Sequence, residues 1–118
     1  MSNLRYEKIP EFTREEVIRE LASEDPKSVA RALYAATRYD RDSQWVQAKC
    51  LEALKSPEVI IRWAAVTCLG DLAFMRRSLD TDSVIPALEL ATQDPQIADP
   101  AGFSLSMVRQ FSQRVNES

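Results

Sequence analysis

Apolar positions along this chain recur with helical spacing, and the recurrence breaks at short polar stretches that carry proline. Val17, Ile18, Leu21 and Ala22 make a first stripe at the i, i+3, i+4 spacing that faces one side of a helix. Val29, Ala32, Leu33 and Ala36 make a second, and Val46, Cys50, Leu51 and Leu54 a third. Ile60, Ile61, Ala64, Ala65, Cys68, Leu69 and Leu72 make a fourth, dense enough to predict a central helix covered on more than one side. Val84, Ile85, Leu88 and Ala91 follow, and then Leu105, Met107, Val108, Phe111 and Val115. No useful stretch alternates apolar and polar residues in twos, so no strand is predicted. The pattern predicts an all-α chain of six helices.

Start and stop signals bound these helices. Thr13 and Glu16 have the spacing of a capping box, with Phe12 and Val17 at the two staple positions, so the first helix opens there and runs to about Ser23. Asp25-Pro26 offers an N-cap followed by a proline whose missing N–H costs nothing in a first turn. That second helix ends near Tyr39, and Asp40 to Ser43 reads as a loop. The third helix runs from Ser43 to about Lys55, and Ser56-Pro57 repeats the cap-plus-proline device before the fourth. Arg76-Arg77-Ser78 marks its end, with cations suited to a helix C-terminus. Asp82 or Ser83 caps the fifth helix, with Pro86 in its first turn. Asp94-Pro95 and Asp99-Pro100 bracket a connector to the sixth.

The cap-proline devices repeat. Pro26 and Pro57 lie 31 residues apart, and Pro95 follows Pro57 by 38. A period in this range signals helical hairpins that stack to share one core. The stretch LEALKSPEVIIRWAAVTCLGDLA, Leu51 to Ala73, resembles a HEAT-type repeat, with Leu51, Leu54, Pro57, Ile61, Arg62, Ala65, Cys68, Leu69 and Gly70 at the characteristic places. The likeness is fair for 17–39 and poor for 83–115. Phycobilisome-lyase-like proteins belong to the same helical-repeat group. The resemblance implies a right-handed stack of about three antiparallel helix pairs in one domain over 1–118. Pro26 and Pro57 are then structural. So is Arg62, which would pair with Asp71 or with an acid of the next hairpin. Trp63 falls at a variable position open to a ligand-facing surface. Residues 1–11, with Leu4, Tyr6 and Ile9, form either a flexible lead or an end cap.

Composition narrows the function. At 118 residues with 45% apolar content the chain can bury a core without disulfides or metals. Cys50 and Cys68 read as buried small hydrophobes in a reducing compartment, with a disulfide or redox pair as the alternative. The N-terminal segment lacks the apolar core of a signal peptide, and no apolar run is long enough to span a membrane, so a cytoplasmic location is expected. Residues 1–77 hold 13 Lys and Arg against 12 Asp and Glu, whereas residues 78–118 hold 2 against 6. That imbalance disfavours nucleic acid as a partner, because nucleic-acid binders present basic patches.

The chain has no histidine and only two glycines, Gly70 and Gly102. It therefore lacks the commonest general base, most zinc sites and any Gly-rich phosphate loop. No enzyme activity, metal or cofactor is expected, and a protein partner is. Four features are candidates for binding it. Asp80, Asp82, Glu89, Asp94 and Asp99 could dock a basic partner or form a solvated face. Tyr39, Arg41 and Trp45 belong to the residue types of interface hot spots, although Trp45 could also pack beneath the next helix. Trp63 is the third candidate, and Arg62, read as structural, the fourth. A short, acidic, non-catalytic helical domain resembles bacterial immunity proteins, which bind and block a cognate toxin domain, here expected to be basic. The alternative is an adaptor, assembly factor or chaperone of a larger complex. Composition leaves the oligomeric state open.

Overall fold

The computed structural model describes residues 11–75 and 78–117, with side chains as far as residue 111. Six helices occupy this part of the chain, and no strand is present among the described residues. They are α1 (Arg14–Leu21), α2 (Pro26–Tyr39), α3 (Ser43–Ala53), α4 (Val59–Phe74), α5 (Thr81–Ala91) and α6 (Ala98–Glu117). Successive helices pack in pairs, α1 on α2, α3 on α4 and α5 on α6. The second members also pack on one another, so α4 lies between α2 and α6. Leu4, Tyr6, Ile9, Arg76 and Arg77 lie outside the described residues.

Local chemistry accounts for the first three helix starts. Thr13 and Glu16 form the full capping box: the Glu16 N–H donates to Thr13 Oγ1 at 3.2 Å, and the Thr13 N–H donates to Glu16 Oε1 at 3.0 Å. The backbone donor holds the Glu16 carboxyl below its ordinary range, with the Thr13 hydroxyl adding to it. Asp25 caps α2 through the Lys27 N–H, with Pro26 at the first position. Asp42 caps α3 through the Trp45 N–H.

Several expected boundaries shift. The α1 helix ends at Leu21, and α3 ends at Ala53. Ser56-Pro57 precedes α4 by a turn and does not cap it; the N-cap is Glu58, without a side-chain bond. Ser56 is used instead as an acceptor, its Oγ for the Glu58 N–H and its carbonyl for Arg62. The α5 helix starts after Asp80, earlier than Asp82 or Ser83 would place it, and Pro86 therefore sits past the first turn. Its ring removes one backbone hydrogen bond on an exposed side of α5, where water can satisfy the freed carbonyl. Asp99-Pro100 lies inside the first turn of α6 and not in the connector.

The core runs through every pair. Val17, Leu33, Val46, Leu69, Leu72, Val84, Leu88 and Val108 are all nearly inaccessible. The α4 helix is buried almost all round, from Ala64 to Gly70 without interruption, as its composition predicts. Burying apolar area of this kind contributes about 25 cal/mol per Å². Two members of the α1 stripe do not join: Ile18 is 51% exposed and Ala22 is exposed. An eight-residue helix packed mainly on α2 covers a narrower stripe than its apolar count suggests. Cys50 and Cys68 are free and fully buried. Burial pushes the Cys68 thiol well up, and Cys50 adds to it.

The α4 and α6 helices approach closely at Gly70. A Cβ built on Gly70 would stand 2.8 Å from Ser104 Cβ and 3.0 Å from its Cα, whereas one on Gly102 meets open space. Gly70→Ala is therefore expected to lower stability by about 1–2 kcal/mol, overpacking outweighing its gain in helix propensity. Gly102→Ala is expected to raise it by up to about 1 kcal/mol. Urea denaturation followed by circular dichroism checks both. The two thiols are expected to resist an aromatic disulfide reagent in the native protein and to react stoichiometrically in urea. Fast native labelling would show that the Cys50–Cys68 region opens locally.

Candidate functional site

One stripe of the α4 helix faces the seam with α2 and α6, exposed at its two ends and buried between them. Trp63, Thr67, Gly70, Asp71 and Phe74 follow one another at helical spacing along it. Facing them are Asp99, Pro100, Phe103, Ser104 and Met107 of α6 and Tyr34, Thr37 and Arg38 of α2. Together with Met75 these residues line a groove of about 840 Å³. Residues of α1, α3 and α5 take no part in the lining. The Gly70–Ser104 contact forms the floor, because only small residues allow the two helices so close. Larger side chains stand along the walls: Phe74 is 71% exposed, Phe103 68%, Trp63 45% and Met75 41%.

Groove polarity comes from its edges. Asp71 and Asp99 supply two carboxylates and Arg38 one guanidinium. Buried hydroxyls beneath are internally engaged; Thr37 Oγ1 donates to the Leu33 carbonyl at 2.8 Å. The arrangement offers apolar and aromatic contact with a few charged groups at the border, which is the make-up of a protein-binding surface.

Of the expected binding residues, Trp63 and Asp99 line this groove. Tyr39 is exposed at the end of α2, directly after the lining residue Arg38. The other acids are dispersed. Asp80 stands at the N-cap position of α5 without a side-chain bond to the helix backbone, and accepts from Ser83 Oγ at 2.7 Å. Asp82 is exposed in the first turn of α5. Glu89 pairs with Arg109 at 2.8 Å, with both side chains about half exposed. Asp94 accepts from Arg62 Nε at 3.3 Å. The same guanidinium donates to the Ser56 carbonyl at 2.9 Å and to Gln96 Oε1 at 2.7 Å. Arg62 is thus tied to an acid of the following hairpin, the second of the two partners expected for it.

The stretch from Tyr39 to Trp45 is organised from below. Arg14 of α1 grips Asp40 through two hydrogen bonds, of 2.9 and 2.7 Å, and reaches Asp42 at 3.6 Å. Its guanidinium carbon lies 4.3 Å from the Trp45 ring centre. Asp40 is the main influence raising the Arg14 pKa. Trp45 is half-buried against the core, so packing beneath a helix describes it better than an open hot spot; Arg41 is exposed.

Four contributors are not singled out by the sequence pattern: Phe74, Met75, Phe103 and Gln47. Phe74 follows Trp63 by three helical turns, and Met107 follows Phe103 by one, so a plot of each helix by face would have found the stripe. Gln47 is buried and accepts the Asp80 N–H at 2.7 Å, fastening α3 to the start of α5. No local pattern marks it.

The chain matches no protein-family model and no curated protein sequence. Among solved structures it is similar to a chain in the crystal structure of a CDI complex from Cupriavidus taiwanensis LMG 19424. The TM-score is 0.80 at 27% sequence identity, over 92% of this chain and 98% of that one. Among the described residues no helix is long and apolar enough to cross a membrane.

Arg62→Ala is expected to cost about 1–3 kcal/mol, since it strands the Ser56 carbonyl and the Asp94 carboxylate in a partly buried joint. Arg62→Lys should recover little, because an ammonium cannot reach three acceptors in a fork. Urea titrations of both variants measure the loss. Equal stability of Arg62→Ala and the native protein would remove Arg62 as a tie.

Proposed function

We propose that this chain is the immunity-type member of a toxin–immunity pair, a non-catalytic protein that binds a cognate, basic toxin domain in the cytoplasm and neutralises it. One observation carries the reading: the fold corresponds, over nearly the full length of both chains, to a component of a CDI (contact-dependent inhibition) assembly. A fold alone does not determine function, so the assignment to the inhibitor side rests on this chain's own chemistry. The sequence has no histidine and a net charge of −3. Toxin domains that cleave nucleic acid need a basic surface to bind it, and an inhibitor of such a domain needs the complementary charge. The acid excess of residues 78–118 suits the second role. The paired stacking of the helices and the Arg62 tie between hairpins support reading the scaffold as HEAT-like.

Co-expression tests this. The protein encoded in the adjacent upstream reading frame, produced as its C-terminal domain, should arrest bacterial growth alone. It should lose that effect and co-purify at a 1:1 ratio when this chain is present. Growth arrest by this chain alone would assign it the toxin role. Absence of a complex would remove the immunity reading and leave an adaptor or assembly role.

A further inference from the structure

Eight large apolar side chains are exposed among the described residues, and four of them, Trp63, Phe74, Met75 and Phe103, line the one groove between α4 and its neighbours α2 and α6. Solvated aromatic rings gathered at one concave place mark an interaction surface; scattered single ones do not. Glu89 and Asp94, by contrast, are already engaged by Arg109 and Arg62. Among the described residues lining the groove the exposed acid is Asp99, in the first turn of α6.

We infer that this groove, and not the dispersed acidic residues of α5, is where the toxin domain docks, and that the docking segment carries a bulky apolar side chain next to an Arg or Lys. The inference rests on the immunity reading above and names its contact surface. The apolar side chain would lie over the Gly70–Ser104 floor, where small residues on both helices leave depth. The cation would sit over the Trp63 or Phe103 ring and meet the Asp99 carboxylate. Charge selects the occupant. Among the described lining residues two carboxylates stand against one guanidinium, so a basic segment is favoured over an acidic one, in keeping with a toxin domain that binds nucleic acid.

The test measures binding of the upstream-encoded C-terminal domain to the native protein, to four single variants and to a double reversal of Asp80 and Asp82 by calorimetry, with association rates followed by stopped flow. Phe103→Ala and Trp63→Ala are each expected to weaken Kd by about 30-fold or more, the range of interface hot spots. Asp99→Lys is expected to slow association about tenfold at low salt, with the difference shrinking at high salt. Leu90→Ala, which removes an equally exposed side chain of α5, should leave Kd unchanged. All four positions are exposed or at the surface, so circular dichroism should show native helix content throughout. If the native protein binds and the groove variants bind equally well, the inference is overturned and the immunity reading survives. Loss of affinity on reversing Asp80 and Asp82 alone would move the contact to α5, with the same consequence. If the native protein does not bind, both readings fall together. Sedimentation of the chain alone covers the remaining occupant: a dimer dispersed by Phe103→Glu would assign the groove to a second copy and overturn the inference.

Discussion

The close contact of α4 with α6 governs the arrangement of the whole molecule. The α4 helix is apolar over most of its surface, and that surface must be enclosed. Its pair-mate α3 covers one side, α2 another, and α6 a third. Gly70 lets α6 come within van der Waals distance at Ser104. That approach fills the middle of the seam with small groups and leaves no room there for large ones. The bulky residues of both helices, Trp63 and Phe74 on one and Phe103 on the other, are consequently directed to the open side. The groove follows from the same packing that encloses the core.

Polar ties then hold the pairs in register. Arg14 links α1 to the loop after α2, Gln47 links α3 to the start of α5, and Arg62 links α4 to the connector before α6. Each reaches from a helix to a loop or helix end elsewhere in the stack, where backbone and carboxylate acceptors and donors are concentrated. Arg62 and Gln47 act in partly buried surroundings, where a lost partner is expensive. Arg14 is 41% exposed, and screening reduces its contribution. These ties also consume part of the acidity that the composition displays. Asp40 and Asp94 serve internal joints, and Glu89 faces Arg109. The field that a partner meets is therefore weaker and more localised than the count of acids in residues 78–118 implies.

Likeness to a component of a CDI complex at 27% identity, without a matching family model, is what such a scaffold would produce. Apolar positions of a helical stack accept many combinations of Val, Ile, Leu and Ala provided volume and spacing are kept. Sequence diverges under that tolerance while helix order and packing persist. The exposed groove residues Trp63, Phe74 and Phe103 carry less of this packing burden, whereas the buried Gly70 and Ser104 share it.

The sequence by itself determined the helical class, the number of helices, the starts of the first three and most of the core. These depend on short-range physics: the 3.6-residue period, capping by Thr13, Asp25 and Asp42, and the fixed geometry of proline. It also pointed to Trp63 as a surface residue and to Arg62 as a tie. Tertiary structure alone decided that Ser56 accepts hydrogen bonds in a turn and does not cap α4, that Ile18 stays exposed, and that Asp94 and Asp99 have different surroundings although five residues apart. It alone brought Trp63, Phe74 and Phe103 to one groove. Residues from three helices share that surface only because α4 is enclosed between α2 and α6. Tyr34 and Trp63 lie 29 residues apart in sequence, and a contact across that distance leaves no local trace in the chain.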